Sequence, residues 1–286
     1  MLFFPGWHNV NSGASGTKNF PRICISYNRI ERRKSAWLIN DWLLDCGFTR
    51  IMNGKSYPST KKYARTIYRW ANNGNLMGAS TRDYPCFAEA LSKTKLDIAT
   101  HQALTIHRYH PIKKHLKDIH LETMMGMQID YIEYATDCEY NIDNVVDFVE
   151  SEYIETDLPY VIPILQGSKP QDYINHLSQY GDRVVQNSWI GVGSLKYRRN
   201  SEVKDILTRI KLQRPDLKLH EFGLSKKQLV SAIMGLLFSA DSQAAGFASK
   251  SLSKSRKYEN SNNPAFALAY AQQIDNNVIQ NNLFNL

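Results

Sequence analysis

The sequence predicts an α/β fold, a (β/α)8 TIM-type barrel with an insertion and a C-terminal extension. Three observations carry this. Two apolar runs, 158–167 and 189–194, each stop abruptly at small, polar residues, Gln166-Gly167 and Gly193-Ser194. Between them, residues 170–177 space their apolar side chains like a helix, which makes a strand–helix–strand parallel crossover. The same alternation recurs along the chain, and 286 residues accommodate one barrel of roughly 250.

The elements follow in order. Strands are expected at Pro21–Ser26, Trp42–Asp45, Leu76–Ser80, Val161–Gln166, Trp189–Ser194, Leu217–Phe222 and Leu236–Ser239, each a short apolar run bounded by turn formers. Helices are expected at Ser59–Ala71, where Tyr63, Ile67 and Trp70 share a face, and at His101–His107, Gln171–Tyr180, Glu202–Gln213 and Lys226–Ile233. The acid-rich stretch 111–157 breaks this rhythm and reads as an insertion. The Ser-, Asn- and Lys-rich tail reads as an extension, which sets a barrel domain at 1–255 and a C-terminal segment at 256–286.

A net charge of +8 favours a polyanionic partner. Basic residues cluster at Arg29, Arg32, Arg33 and Lys34, at Lys113, Lys114 and Lys117, at Lys196, Arg198 and Arg199, and near Lys250–Lys257. With 16 Tyr and 5 Trp to stack on bases, nucleic acid is the partner expected. No apolar run approaches a membrane span and no leader pattern opens the chain, so no membrane partner and a cytoplasmic setting are expected. Cys24, Cys46, Cys86 and Cys138 are scattered without a CxxC pair, which argues against a disulfide framework and a structural metal. The histidines, among them His101, His107, His110 and His115, read as structural or surface residues, and no cofactor is called for.

In parallel α/β folds, ligands gather at the carboxyl ends of strands. Asp45, Asp83 and Asp241 fall there, as do Gln166, Gly167, Gly193 and Ser194. Each taken singly is equally a turn residue. Together, two carboxylates flanking a glycosidic carbon can perform double displacement. A third carboxylate with an amide can read the hydrogen-bonding edge of a purine, and the glycines admit a flat ligand. The chain has no nucleophile elbow, P-loop or GxGxxG.

These residues resemble the tRNA-guanine transglycosylase superfamily, and within it the phage and bacterial DNA 7-deazaguanine transglycosylases. Leu44-Asp45-Cys46-Gly47-Phe48-Thr49 resembles the family element LDSGGFT, with one glycine fewer and Cys in place of Ser. Asp83-Tyr84-Pro85-Cys86 is similar to the segment whose Asp binds the base. Ile162–Gly167 resembles the base-recognition strand, Ile190–Leu195 the backbone closing over the base, and His220–Leu224 the seventh strand. Ser239–Ala244 is similar to the element bearing the nucleophile. The family's tRNA enzymes carry a zinc site near the C-terminus, whereas this chain has no Cys after Cys138.

The resemblance implies exchange of guanine in DNA for a free 7-deazaguanine base of the preQ0 or preQ1 type. Asp241 would be the nucleophile and Asp45 the general acid/base. Asp83, Gln166, Gly167, Gly193 and Ser194 would bind the base. The basic clusters, Arg32, Arg33, Lys196, Arg198 and Arg199 first among them, are expected to grip phosphates. The same chemistry on tRNA and a non-catalytic nucleic-acid-binding barrel are the alternatives, with a glycoside hydrolase behind them.

Overall fold

The computed structural model describes residues 1–7, 17–134, 158–223, 225, 228, 230–242, 269, 271, 272 and 274. Nine parallel strands form one sheet: β1 (Leu2–Trp7), β2 (Arg22–Ser26), β3 (Asp41–Asp45), β4 (Asn75–Ser80), β5 (Val161–Ile162), β6 (Ile164–Leu165), β7 (Trp189–Val192), β8 (Lys218–Glu221) and β9 (Ser239–Ser242). Their order is β5-β4-β3-β2-β1-β9-β8-β7-β6. The two ends of this sheet, β5 and β6, are separated in sequence only by Pro163. The sheet is therefore nearly closed into a barrel. Proline has no N–H for the ladder, so pairing changes sides there: β5 bonds to β4 and β6 to β7.

The helices are α1 (Tyr27–Ile30), α2 (Thr49–Met52), α3 (Thr60–Ala71), α4 (Ala88–Thr94), α5 (Ile98–Tyr134), α6 (Pro170–Tyr180), α7 (Asn200–Gln213) and α8 (Ser231–Met234). The Ser59 hydroxyl accepts from Lys62 N–H and caps α3, whose inner face buries Tyr63, Ile67 and Trp70. Alternation along the strands divides the core in two. Phe4, Cys24, Leu43 and Ile162 pack with Leu2, Met77 and Trp189 as one cluster. A larger cluster gathers the opposite strand faces and the helices. A nearly closed parallel sheet requires this division, because odd and even residues of each strand face different layers.

Three expectations change. First, β1 is a strand that the sequence reading did not assign. The edges of β2 and β9 recruit it: Gly6 pairs with Cys24 and Phe4 with Asp241. Second, the last strand runs Ser239–Ser242 instead of Leu236–Ser239. Leu236 and Leu237 sit in turns after α8, bonded to Ile233 and Met234, and Leu237 packs into the core. The strand itself is polar because its hydroxyls find partners inside the sheet, and Asp241 lies within it. Third, the helix expected at His101–His107 runs to Tyr134 through Pro111. Ile112 and Leu116 are fully buried, with Ile112 at 0 % and Leu116 at 1 % exposure. The start of the expected insertion therefore belongs to the core. Burial of apolar side chains beside α3 outweighs the hydrogen bond that the proline forfeits. Residues 135–157, and most of the expected extension 256–286, lie outside the described residues, although Ala271 and Ile274 are buried in the core.

Among the described residues no helix is long and apolar enough to cross a membrane.

Candidate active site

The strands carry Asp45, Asp83 and Asp241 to their shared carboxyl end. Ser26 and Asp45 are paired in register at the ends of β2 and β3. Asp45 Oδ2 accepts from Gly47 N–H at 3.2 Å. Gly47 has φ +76°, and a Cβ there would stand 2.8 Å from Asn28 Nδ2, so only glycine suits this tight turn. This glycine places its N–H on the carboxylate.

Burial pushes the Asp45 carboxyl up to about 7, helped by the nearby charges of Asp241 and then Asp83. Burial also raises Asp83. Asp241 is 5 % exposed, and its Oδ1 accepts from Gly223 N–H at 2.9 Å. Asp45 thus lies in electrostatic reach of Asp241 and of Asp83, and is held toward its neutral form by burial and by both charges. Cys46 has a definite place: its thiol donates to Asp83 Oδ1 at 2.9 Å.

Asp83, Gln166 and Ser194 form one hydrogen-bonded network. Gln166 Nε2 donates to Asp83 Oδ2, and Ser194 Oγ donates to Gln166 Oε1 at 2.6 Å. Cys86 N–H donates to Ser194 Oγ at 2.8 Å, which ties the β4 loop to the β7 loop. Tyr57 holds the Asp83 carbonyl through its hydroxyl at 2.7 Å. Gln166 is anchored at its backbone by His176 Nδ1 and by Gln102 Nε2. A Cβ on Gly193 would meet Gln166 Nε2 at 2.2 Å, so glycine is required for the amide to lie along the β7 backbone. Gly167 is also closely packed, a Cβ there standing 2.8 Å from Asp172 Cβ and 2.9 Å from Tyr173 Cδ2 at the start of α6.

The expected phosphate-binding residues do not stay together. The segment after α1 descends the outside of the sheet along α3. Glu31 pairs with Lys62 in the first turn of α3, and Arg69 in its last turn donates to Lys34 O. Arg33 lies over Trp37, which packs on Trp42 and Trp70 at the start of β3 and the end of α3. Arg33 thus lies on a segment that starts near the carboxyl end, where Glu31 bonds Lys62, and runs along α3 to the Trp37–Trp70 pair. Arg198 is reassigned. Its Nε donates to Ser194 O at 2.9 Å and its Nη2 to Gly167 O at 3.1 Å, so it clamps the two loops of the network together. Lys196 and Arg199 remain beside the site, and the Arg199 side chain is 84 % exposed.

Sequence reasoning missed an aromatic row on the same loops. Phe48 follows β3, Phe87 follows β4 and Tyr197 follows β7; Phe48–Phe87 and Phe87–Tyr197 ring centroids are 6.4 and 6.1 Å apart. Tyr197 is 77 % exposed, with Lys196 Nζ 5.5 Å from its ring. Arg82 was missed too: it is fully buried, with its guanidinium over the rings of Tyr27, Tyr57 and Tyr63 and Nη1 bonded to Pro58 O. Burial and Asp241 push the Glu221 carboxyl up to about 8. Among the histidines, His101 bonds Pro85 O and Thr94, a structural role. No group of three His, Cys, Asp or Glu is arranged to hold a metal ion among the described residues.

The chemical capacity of this end is therefore specific. It offers two carboxyls raised toward neutral pH, Asp45 and Glu221, a carboxylate at Asp241 oriented by a backbone N–H, and a carboxylate–amide–hydroxyl wall at Asp83, Gln166 and Ser194. Compared with known proteins, the chain matches no protein-family model and no curated protein sequence.

Proposed function

We propose that the protein is a DNA-guanine transglycosylase, built on a (β/α)8 barrel in which β5 and β6 are one strand broken at Pro163. The observation that carries the reading is the grouping, at the carboxyl end of one nearly closed parallel sheet, of Asp45 and Asp241, each held by a backbone N–H, with the Asp83–Gln166–Ser194 network.

Asp241 attacks C1′ of a target deoxyguanosine. The C1′–N9 bond breaks, its electron pair goes to the departing base, and Asp45 in its acid form supplies the proton. An incoming 7-deazaguanine then gives its N9 proton to Asp45. Its N9 attacks C1′, and the bond to Asp241 breaks. A group near 7 suits both halves, since it must give a proton and take one back at the same pH.

Guanine and its 7-deaza analogues present N–H donors and a carbonyl acceptor on one edge. The Asp83 carboxylate matches the donors and the Gln166 amide the acceptor, so the base replaces the Gln166–Asp83 bond with its own. A base leaving a duplex must unstack first, at a cost of a few kcal/mol. The Phe48–Phe87–Tyr197 row, with Lys196 and Arg199, offers stacking surface and charge at the rim for the strand around it.

The test supplies labelled guanine with single-stranded DNA, duplex DNA and tRNA in separate reactions. Label entering DNA, and lost with Asp241→Ala, is the expected result. Label entering tRNA alone selects the tRNA enzyme. Incorporation undiminished by Asp241→Ala overturns the mechanism.

A further inference from the structure

Beneath Asp241 a polar chain crosses the interior of the sheet. Trp189 Nε1 on β7 donates to Ser239 Oγ on β9 at 2.8 Å. Ser239 Oγ lies 2.9 Å from His220 Nδ1 on β8. His220 Nε2 is buried without a hydrogen bond and faces Asp241 Oδ1 at 3.5 Å, within ion-pair distance but outside hydrogen-bond geometry, so it is the free polar end of the chain and closes onto Asp241 by a small shift. His220 and Ser239 are both fully buried, and the imidazole is wedged among the rings of Phe4, Trp189 and Phe222, with centroids at 6.3, 6.0 and 4.3 Å. The ring cannot turn without displacing those neighbours.

From this geometry we infer that His220, set by Ser239 and Trp189, is a positioning residue that holds Asp241 by Oδ1 and leaves Oδ2 as the attacking oxygen. Ser239 Oγ already accepts the Trp189 proton, so its own proton is free to go to His220 Nδ1. A neutral imidazole that accepts at Nδ1 carries its proton on Nε2, the atom facing Asp241. The opposite tautomer would aim a lone pair at a carboxylate oxygen. Gly223 N–H falls on the same Oδ1, so both contacts converge on one oxygen and neither engages the other. Ser239, His220 and Asp241 face one interior because the strands alternate: 239 and 241 share a face of β9, and His220 pairs in register with Ser239.

The role assigned to Oδ2 rests on Asp241 being the nucleophile, whereas the tautomer does not. Two measurements separate them. In histidine-labelled protein, 15N chemical shifts report which imidazole nitrogen carries the proton, with His220 assigned by its absence in His220→Gln. The expected signal is Nε2-protonated, is lost or mixed in Ser239→Ala, and shifts in Asp241→Asn. A proton on Nδ1 overturns the inference whatever the enzyme does.

In the exchange assay, Ser239→Ala and His220→Ala should lower kcat about tenfold to a hundredfold, the cost of a misplaced nucleophile. KM for the free base should stay within about twofold, because the Asp83–Gln166–Ser194 wall is untouched. His220→Gln, which can present an N–H in the same direction, should recover part of the loss. An equal kcat in His220→Ala and the unaltered enzyme overturns the inference. An inactive unaltered enzyme with the Nε2 tautomer overturns the transglycosylase reading and leaves the positioning geometry standing.

Discussion

Replacing Asp45 with asparagine should make this protein more stable at alkaline pH while destroying its proposed activity. The Asp45 carboxyl is raised from its ordinary 3.8 to about 7 by burial and by Asp241 and Asp83. A raised carboxyl means that the folded state binds the proton more tightly than the unfolded chain. Stability therefore falls as pH rises between about 4 and 7 and stays depressed above. About three units at 1.36 kcal/mol each is a penalty of about 4 kcal/mol at pH 8. Asp45 keeps partial contact with solvent, and screening there reduces the figure to about 2 kcal/mol. Asparagine has the same shape, keeps an acceptor for Gly47 N–H and carries no charge. Urea unfolding of both proteins at about pH 5 and pH 8 measures the difference. The Asp45→Asn variant should gain about 2 kcal/mol at pH 8, or several degrees in Tm, and clearly less at pH 5. The same difference at both pH values, or a variant less stable at pH 8, would refute the reasoning, because the penalty must track ionisation.

Four further outcomes follow from the geometry. If Asp45 acts as the acid, the exchange rate should fall as pH rises through about 7, and Asp45→Asn should lower kcat by on the order of 10²–10⁴; a flat profile across that range rejects the assignment. Gly193→Ala drives a methyl into the Gln166 amide, so KM for the base should rise about threefold to tenfold, roughly one lost hydrogen bond between uncharged groups, read by steady-state kinetics. Tyr197→Ala should weaken binding to single-stranded DNA by about 1–3 kcal/mol in a fluorescence titration and leave Tm unchanged. Leu116→Ala should cost about 2–5 kcal/mol in urea unfolding, as a core position does and an inserted surface segment does not.

Much of the site was readable along the chain because its residues sit next to strand ends, where short apolar runs stop. Asp45, Asp83 and Gln166 are of this kind, and the structure brings them to one end. Asp241 was readable as a residue but not as a position. The strand expected before it ends in Ser239, and the actual strand contains Asp241, because a polar SADS segment hides its pairing until its hydroxyl partners are known. His220 carried a usable signal: in Leu219-His220-Glu221-Phe222 it shares a strand face with Phe222. Charge clusters were the least informative, since Arg33, Arg198 and Arg199 look alike in sequence. One lies along α3, one is tied to two loop carbonyls, and one faces solvent.

The sequence by itself determined the alternation of strands and helices, and hence the parallel class, because burial on both faces demands continuous apolar runs in the strands. It also determined the residues available for chemistry. Tertiary structure alone decided that β1 completes the sheet, that residues after Pro111 enter the core, and that three distant aspartates share one field. It alone decided what each partner does: Cys46 on Asp83, Arg198 across the loops, His220 beneath Asp241. Strand and helix periodicity is set by neighbours in the chain, whereas pairing, desolvation and Coulomb coupling depend on residues brought together across scores of positions.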